Sequence, residues 1–145
     1  MEFKIKKLNP NAILPTKATS GSAGYDLYAC CEQPIELKPH TTTGISLGFC
    51  AELPENTVGL IYIRSGIAAK NSIIPANCVG VIDCDYRGEW KVMLHNLSDV
   101  PYTVQPKERV AQLVITSYYS PSVVEADELS DTARGAGGFG STGKL

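Results

Sequence analysis

Apolar residues in this chain recur at every second position rather than at helical spacing. Ile45, Leu47 and Phe49 alternate with smaller or polar residues, and Trp90, Val92 and Leu94 alternate with Lys91, Met93 and His95. A period of two places successive side chains on opposite faces of an extended strand, so each run predicts a strand with one face in a core. The runs Val58-Gly59-Leu60-Ile61-Tyr62-Ile63 and Val110-Ala111-Gln112-Leu113-Val114-Ile115 read as buried strands. Nine prolines and repeated Gly, Asn and Asp punctuate these runs at short intervals. Many short strands with frequent turns predict a sandwich or barrel. Only Ser65 to Asn71 looks helical, for little more than a turn or two, and the chain carries no internal repeat and no long linker.

Composition narrows the class. A chain of 145 residues is one domain with room for a core, and 43% hydrophobic with 19% charged residues is ordinary for a soluble globular protein. The net charge of −2 offers no broad basic field for nucleic acid. An anionic ligand must then be met by a few local cations and backbone N–H groups. No apolar run is long enough to span a bilayer, and Met1 to Lys7 has no apolar stretch behind its lysines, so neither a membrane nor a signal peptide is expected. The five cysteines Cys30, Cys31, Cys50, Cys78 and Cys84 are odd in number and lack C-x-x-C spacing. That pattern argues against a disulfide framework or zinc site and predicts thiols in the cytoplasm or another reduced compartment.

Candidate chemistry is concentrated in a few stretches. In Gly80-Val81-Ile82-Asp83-Cys84-Asp85-Tyr86-Arg87-Gly88, an extended conformation puts Asp83 and Asp85 on one face, about 6.5–7 Å apart. Two such acids repel each other without a cation, a metal or a catalytic task. One is assigned to structure, with Asp85 paired to Arg64 or Arg87, and one to chemistry. Asn77, just upstream, offers a donor and an acceptor for a base edge, or serves as a hairpin turn residue. Asp26 sits in a short apolar strand, where it is either a turn residue or a buried acid needing a cation. Ser65 in Arg64-Ser65-Gly66 either bonds phosphate at a helix start or caps the helix. Gln112, polar within an apolar strand, needs a ligand or backbone partner.

The C-terminal stretch differs in kind. Of thirteen glycines, five fall between Gly135 and Gly143, beside Arg134, Phe139, Ser141 and Thr142. A cation, a ring and two hydroxyls on a glycine-rich strap predict a lid for a phosphorylated ligand. Gly138 to Lys144 fits G-x-x-x-x-G-K, but Leu145 follows and no helix can supply the phosphate-binding dipole, so it is no P-loop.

In order, Ala23-Gly24-Tyr25-Asp26-Leu27, Arg64-Ser65-Gly66, the run from Gly80 to Gly88, Arg109-Val110-Ala111-Gln112-Leu113 and the run from Arg134 to Gly143 resemble the five motifs of the trimeric deoxyuridine triphosphatase (dUTPase) family. The resemblance implies an all-β, distorted β-barrel or jelly-roll-like domain (a β-clip) over residues 1–133 with one short helix. A flexible arm would follow over residues 134–145. It implies a homotrimer whose active sites are shared between subunits, with the arm closing over a site. The implied reaction is Mg²⁺-dependent hydrolysis of dUTP to dUMP and pyrophosphate, by attack of an Asp83-activated water on the α-phosphorus. Such an activity limits uracil misincorporation into DNA and supplies dUMP for thymidylate synthesis.

The resemblance also implies residue roles. Asn77 and the backbone of Gly80, Val81, Ile82 and Asp83 would read uracil, and Tyr86 would pack under deoxyribose. Arg64, Ser65, Gly66 and Gln112 would contact the phosphates, with Lys91 a further substrate contact. Asp26 would reach, through water, a Mg²⁺ held mainly by the phosphates. Arg134, Ser141 and Thr142, with Gly140, would bind the terminal phosphate, and Phe139 would stack on uracil. Ile63 stands where many members have Pro, which restores an N–H and removes no functional group. The rival readings are a dCTP deaminase-type relative, which acts on the base, and a nucleotide-sensing binding protein on the same fold. The intact five motifs favour pyrophosphate release. A purely structural β-protein leaves the polar tail unexplained.

Overall fold

The alternating pattern becomes eleven short strands and one helix in the computed structural model, which describes residues 2–138. The strands are β1 (Lys4–Lys7), β2 (Tyr25–Tyr28), β3 (Ile35–Leu37), β4 (Thr42–Ser46), β5 (Phe49–Glu52), β6 (Thr57–Ile63), β7 (Ile73–Pro75), β8 (Gly80–Ile82), β9 (Lys91–Asn96), β10 (Tyr102–Val104) and β11 (Arg109–Ser117). The helix α1 spans Ser65–Asn71, as its sequence predicts.

All named pairings among the described residues are antiparallel, and none joins strands consecutive in sequence. One sheet has the order β2-β11-β6-β8 and another β4-β9-β7, with the ribbons β1-β5 and β10-β3 beside them. This is a jelly-roll-like arrangement; among the described residues the sheets do not close into one barrel. The core lies between the sheets around Trp90, Phe49, Leu27, Leu37, Ile45 and Leu113, all fully buried. Alternation is kept in β9, where Val92 and Leu94 point inward while Met93 is 43% exposed.

Two expectations need correction. The strand β6 is not buried on both sides: Thr57, Gly59 and Ile61 are buried, whereas Val58 and Leu60 are half-buried and Tyr62 is exposed. Its outer face is the outer face of the four-stranded sheet, which the described residues leave partly exposed. The acidic run is not extended throughout either. β8 stops at Ile82, and a turn closed by Tyr86 N–H donating to the Asp83 carbonyl (3.1 Å) takes over. Asp83 and Asp85 therefore do not share a strand face. The turn-forming Asp and Gly residues end the strand that the apolar lead-in begins.

Beyond β11, residues 118–138 form neither strand nor helix. Tyr119, Val123, Val124 and Leu129 there are 99%, 98%, 79% and 89% exposed.

Candidate active site

The sheet register assembles the first half of the site. Gln112 on β11 lies directly opposite Asp26 on β2 and Tyr62 on β6. Residues opposite one another across antiparallel strands share a face, so these three form a row across the outer face of the sheet. Where β6 ends, Arg64 and Ser65 follow at the start of α1. Together with Ser22 they line a cavity of about 500 Å³.

Within it, Asp26 is gripped by two cations: Arg64 Nε lies 3.1 Å from Oδ1 and Arg109 Nη1 3.2 Å from Oδ2. This resolves the Asp26 ambiguity in favour of a paired acid, its side chain only 13% exposed. Gln112 Nε2 donates to the Ile63 carbonyl at 3.2 Å, which ties the amide to the end of β6. A Cβ at Gly24 would lie 3.0 Å from Gln112 Oε1, so that position admits no larger residue without moving the amide. Ser65 is not the helix cap. The N-cap is Arg64, with no side-chain cap bond, and Ser65 is the exposed first residue of the helix. A Cβ at Gly66 would meet nothing within 4 Å, so the space above the helix start is open.

The second half lies on the β8 side. Val81, Ile82, Asp83, Tyr86, Glu89 and Lys91 line a cavity of about 240 Å³, with Trp90 at its base. At Gly80 the space is tight, since a Cβ would meet the Ile61 Cβ at 3.2 Å. Asn77 occupies the turn between β7 and β8, and its Nδ2 lies 3.6 Å from where that Cβ would be. The expected hairpin is altered in one respect: β7 pairs with β9 and β8 with β6, so the turn passes between sheets. It is closed by Cys78 N–H on the Pro75 carbonyl (2.9 Å) and Val79 N–H on the Asn77 carbonyl (2.7 Å).

Tyr86 is fixed at its far end, where the hydroxyl donates to the Glu89 carbonyl at 3.2 Å. The Glu89 carboxylate accepts from Ser46 Oγ at 2.5 Å and pairs with Lys91 Nζ at 3.3 Å. The Ser46 hydroxyl first, and Lys91 with it, holds the Glu89 carboxyl below the usual carboxylate range. The Trp90 indole N–H is buried with no hydrogen-bond partner among the described residues.

The expected Asp85 ion pair does not form. Arg64 is taken by Asp26, while Arg87 donates to the Cys84 carbonyl (2.7 Å) and lies 3.6 Å from Glu52. Among the described residues Asp85 has no ion pair. Folding the run into a turn aims Arg87 back on its own backbone and away from Asp85.

The predicted residues thus gather into two groups, and the two cavities share no lining residue. Arg134 reaches neither group, and its Nε donates to the Gly137 carbonyl at 2.8 Å. Phe139, Gly140, Ser141 and Thr142 lie outside the described residues. Arg109, Glu89 and Tyr62 were missed as site residues. Arg109 stands inside a motif, but the geometry that turns it onto Asp26 leaves no mark in the spacing.

The donor set bears on a metal. Asp26 is the one carboxylate lining the larger cavity, and among the described residues no three His, Cys, Asp or Glu side chains cluster. The described residues supply no all-protein cage. A single carboxylate in a phosphate-sized cavity that also holds Arg64 suits Mg²⁺, which keeps most of its water and is carried largely by substrate phosphates.

A family model described as dUTPase matches residues 10–143. The chain is 46% identical over 143 residues to a deoxyuridine 5'-triphosphate nucleotidohydrolase of Hydrogenobaculum sp. (strain Y04AAS1), covering 99% of each. It is 42% identical over 143 residues to the protein of that name from Helicobacter pylori (strain Shi470), covering 99% of this chain and 97% of that one. Among solved structures, a dUTPase of Staphylococcus bacteriophage 80alpha with dUPNHPP superposes with a TM-score of 0.89 at 27% identity, covering 98% of each chain. With the match running through both cavities and on into the tail, the chain belongs to the dUTPase family.

Proposed function

We infer that the protein is a dUTP diphosphatase, hydrolysing dUTP to dUMP and pyrophosphate with Mg²⁺. The observation that carries this, in a chain of this family, is the row Asp26–Gln112–Tyr62 capped by Arg64 and Ser65. It provides one cation, Arg64, and several polar groups in a cavity sized for a phosphate chain. The activity keeps uracil out of DNA and supplies dUMP.

In the mechanism we propose, the Asp83 carboxylate orients a water and accepts its proton as the water oxygen bonds to the α-phosphorus. The bond from that phosphorus to the bridging oxygen breaks, and pyrophosphate leaves. Arg64, Ser65, Gly66 and Gln112 hold the phosphates. Positioning and charge stabilisation account for most of the barrier reduction. Bound on the phosphates next to Asp26, Mg²⁺ would neutralise charge on the leaving group. Asn77 and the backbone from Gly80 to Asp83 read uracil, and the Tyr86 ring leaves no room for a ribose hydroxyl. Lys91 adds a contact beside Glu89. Residues 1–133 form the catalytic domain, and residues 134–145 an arm whose Arg134, Phe139, Gly140, Ser141 and Thr142 close over the nucleotide.

We further propose a homotrimer in which the phosphate cavity of one subunit meets Asp83 and Tyr86 of another. Three features support it: the separate cavities, the partly exposed outer sheet face, and the exposed apolar residues of 118–138. The free cysteines suit the cytoplasm or a similarly reducing compartment. Among the described residues no helix is long and apolar enough to cross a membrane.

Assaying pyrophosphate and ammonia release from dUTP, dCTP, dTTP and UTP tests the function. Pyrophosphate from dUTP in clear preference is expected. Ammonia from a cytosine nucleotide, or no preference among the four, would sink it.

A further inference from the structure

We infer that Arg109 is a positioning residue for the Asp26 carboxylate, holding it from outside the phosphate cavity so that Arg64 can leave it for a substrate phosphate. The inference rests on the dUTP-hydrolase reading and adds to it a division of labour between two arginines.

Both guanidinium groups hold Asp26, one on each oxygen, but they come from different surroundings. Arg64 lines the cavity; Arg109 does not. Arg64 is the N-cap of a short helix, with extended backbone at φ −74° and ψ 134°. Its side chain can swing into the cavity without disturbing a strand.

Arg109 is braced. Arg109 and Gln112 are three residues apart, and in a regular strand they would point to opposite faces. The register with β2 shifts between Arg109 and Ala111, with Val110 the extra residue: Arg109 opposes Tyr28 while Ala111 opposes Leu27. A β-bulge of this kind re-aims the side chains on one side of it. It carries Arg109 to the face that Tyr28 shares with Asp26. The residue before it is pinned as well. Ala29 N–H donates to the Glu108 carbonyl at 2.8 Å, and Gln105 N–H to the Glu108 carboxylate at 2.7 Å. The Tyr102 hydroxyl donates to the same carboxylate. These bonds fix the backbone from which Arg109 reaches Asp26, although its side chain is 47% exposed.

A triphosphate entering the cavity draws Arg64 toward its own charge. With Arg64 as its sole partner, Asp26 would lose its orientation at the moment it is needed beside the metal-bearing phosphates. Arg109 preserves it. Such outer partners of a carboxylate tune its affinity for a metal without touching the metal.

The test compares wild type, Arg109→Ala and Arg109→Lys. Binding of dUpNHpp is titrated against Mg²⁺, and Mn²⁺ taken up with the analogue is counted by electron paramagnetic resonance. Binding of dUMP, which has no triphosphate, and Tm are the controls. In Arg109→Ala the divalent-ion concentration for half-saturation should rise about 10–100-fold. Arg109→Lys should shift it less, and dUMP affinity should stay at the wild-type level in both. An unchanged ion requirement in Arg109→Ala, or dUMP affinity lost in parallel, overturns the inference. If Arg109→Ala does not fold, a wild-type ion requirement in Arg109→Lys overturns it alone. Wild type that binds neither dUMP nor dUpNHpp overturns the underlying function, a separate failure.

Discussion

The ring of Tyr86 lies against the backbone of Gly88, where a Cβ would sit 2.6 Å from Tyr86 Cζ. No side chain fits in that space, so the glycine is what lets the ring fold back and anchor on the Glu89 carbonyl. Replacing Gly88 with Ala must push the ring out. The ring is 44% exposed and can move outward, so the stability cost is less than the about 1–3 kcal/mol of overpacking a core. We expect a lower Tm and a drop in kcat/KM for dUTP, with discrimination against UTP weakened because the ring no longer guards the sugar. Wild-type preference for dUTP over UTP in Gly88→Ala would remove the sugar-gate role of Tyr86.

Asp83 stands at the end of β8, exposed at the mouth of the smaller cavity. As general base it should be worth about 10²–10⁴-fold in turnover. Asp83→Asn is expected to lose that much kcat while binding dUpNHpp about as well as wild type. Stopped-flow turnover and calorimetry separate the two. Full activity in the mutant removes Asp83 from the mechanism.

Leu60 is half-buried on the outer sheet face, opposite Val81 and Val114. A charge placed there should be tolerated by the protomer, whose core it does not enter, but not by an interface. If active sites are shared between subunits as proposed, Leu60→Asp is expected to sediment as a monomer and to release no pyrophosphate. A monomer that retained turnover would contradict active sites shared between subunits.

Glu89 gives a pH dependence whose sign follows from its lowered carboxyl pKa. A folded value below the ordinary 4.5 means that the Ser46 and Lys91 contacts stabilise the fold above that pH. The contribution is lost as pH falls through the folded value. Glu89→Gln should therefore have a lower Tm than wild type at pH 7, and the gap should close as the pH falls below 4.5 through the folded value. A gap independent of pH would show that the carboxylate charge plays no part.

Much of this was legible beforehand. Strand alternation in Trp90, Val92 and Leu94, the short helix from Ser65, and the five ordered motifs are local properties of the chain. The errors arose where a local rule was extended too far. Alternation puts Asp83 and Asp85 on one face only if the strand continues past Ile82, where a turn intervenes. The expected pairing of Asp85 with Arg64 or Arg87 does not form among the described residues. Arg64 instead serves Asp26, and Arg87 turns to the Cys84 carbonyl and Glu52.

By itself the sequence determined the family, the strand content and the identity of most candidate site residues. These depend on side-chain chemistry and on a backbone period that every strand shares. The tertiary structure decided which residues meet. Arg109 reaches Asp26 across 83 positions of sequence, and only because a bulge at Val110 changes the face on which it emerges. Pairing register is a long-range property: a one-residue slip reverses every side chain beyond it, and no local pattern records where the slip occurs.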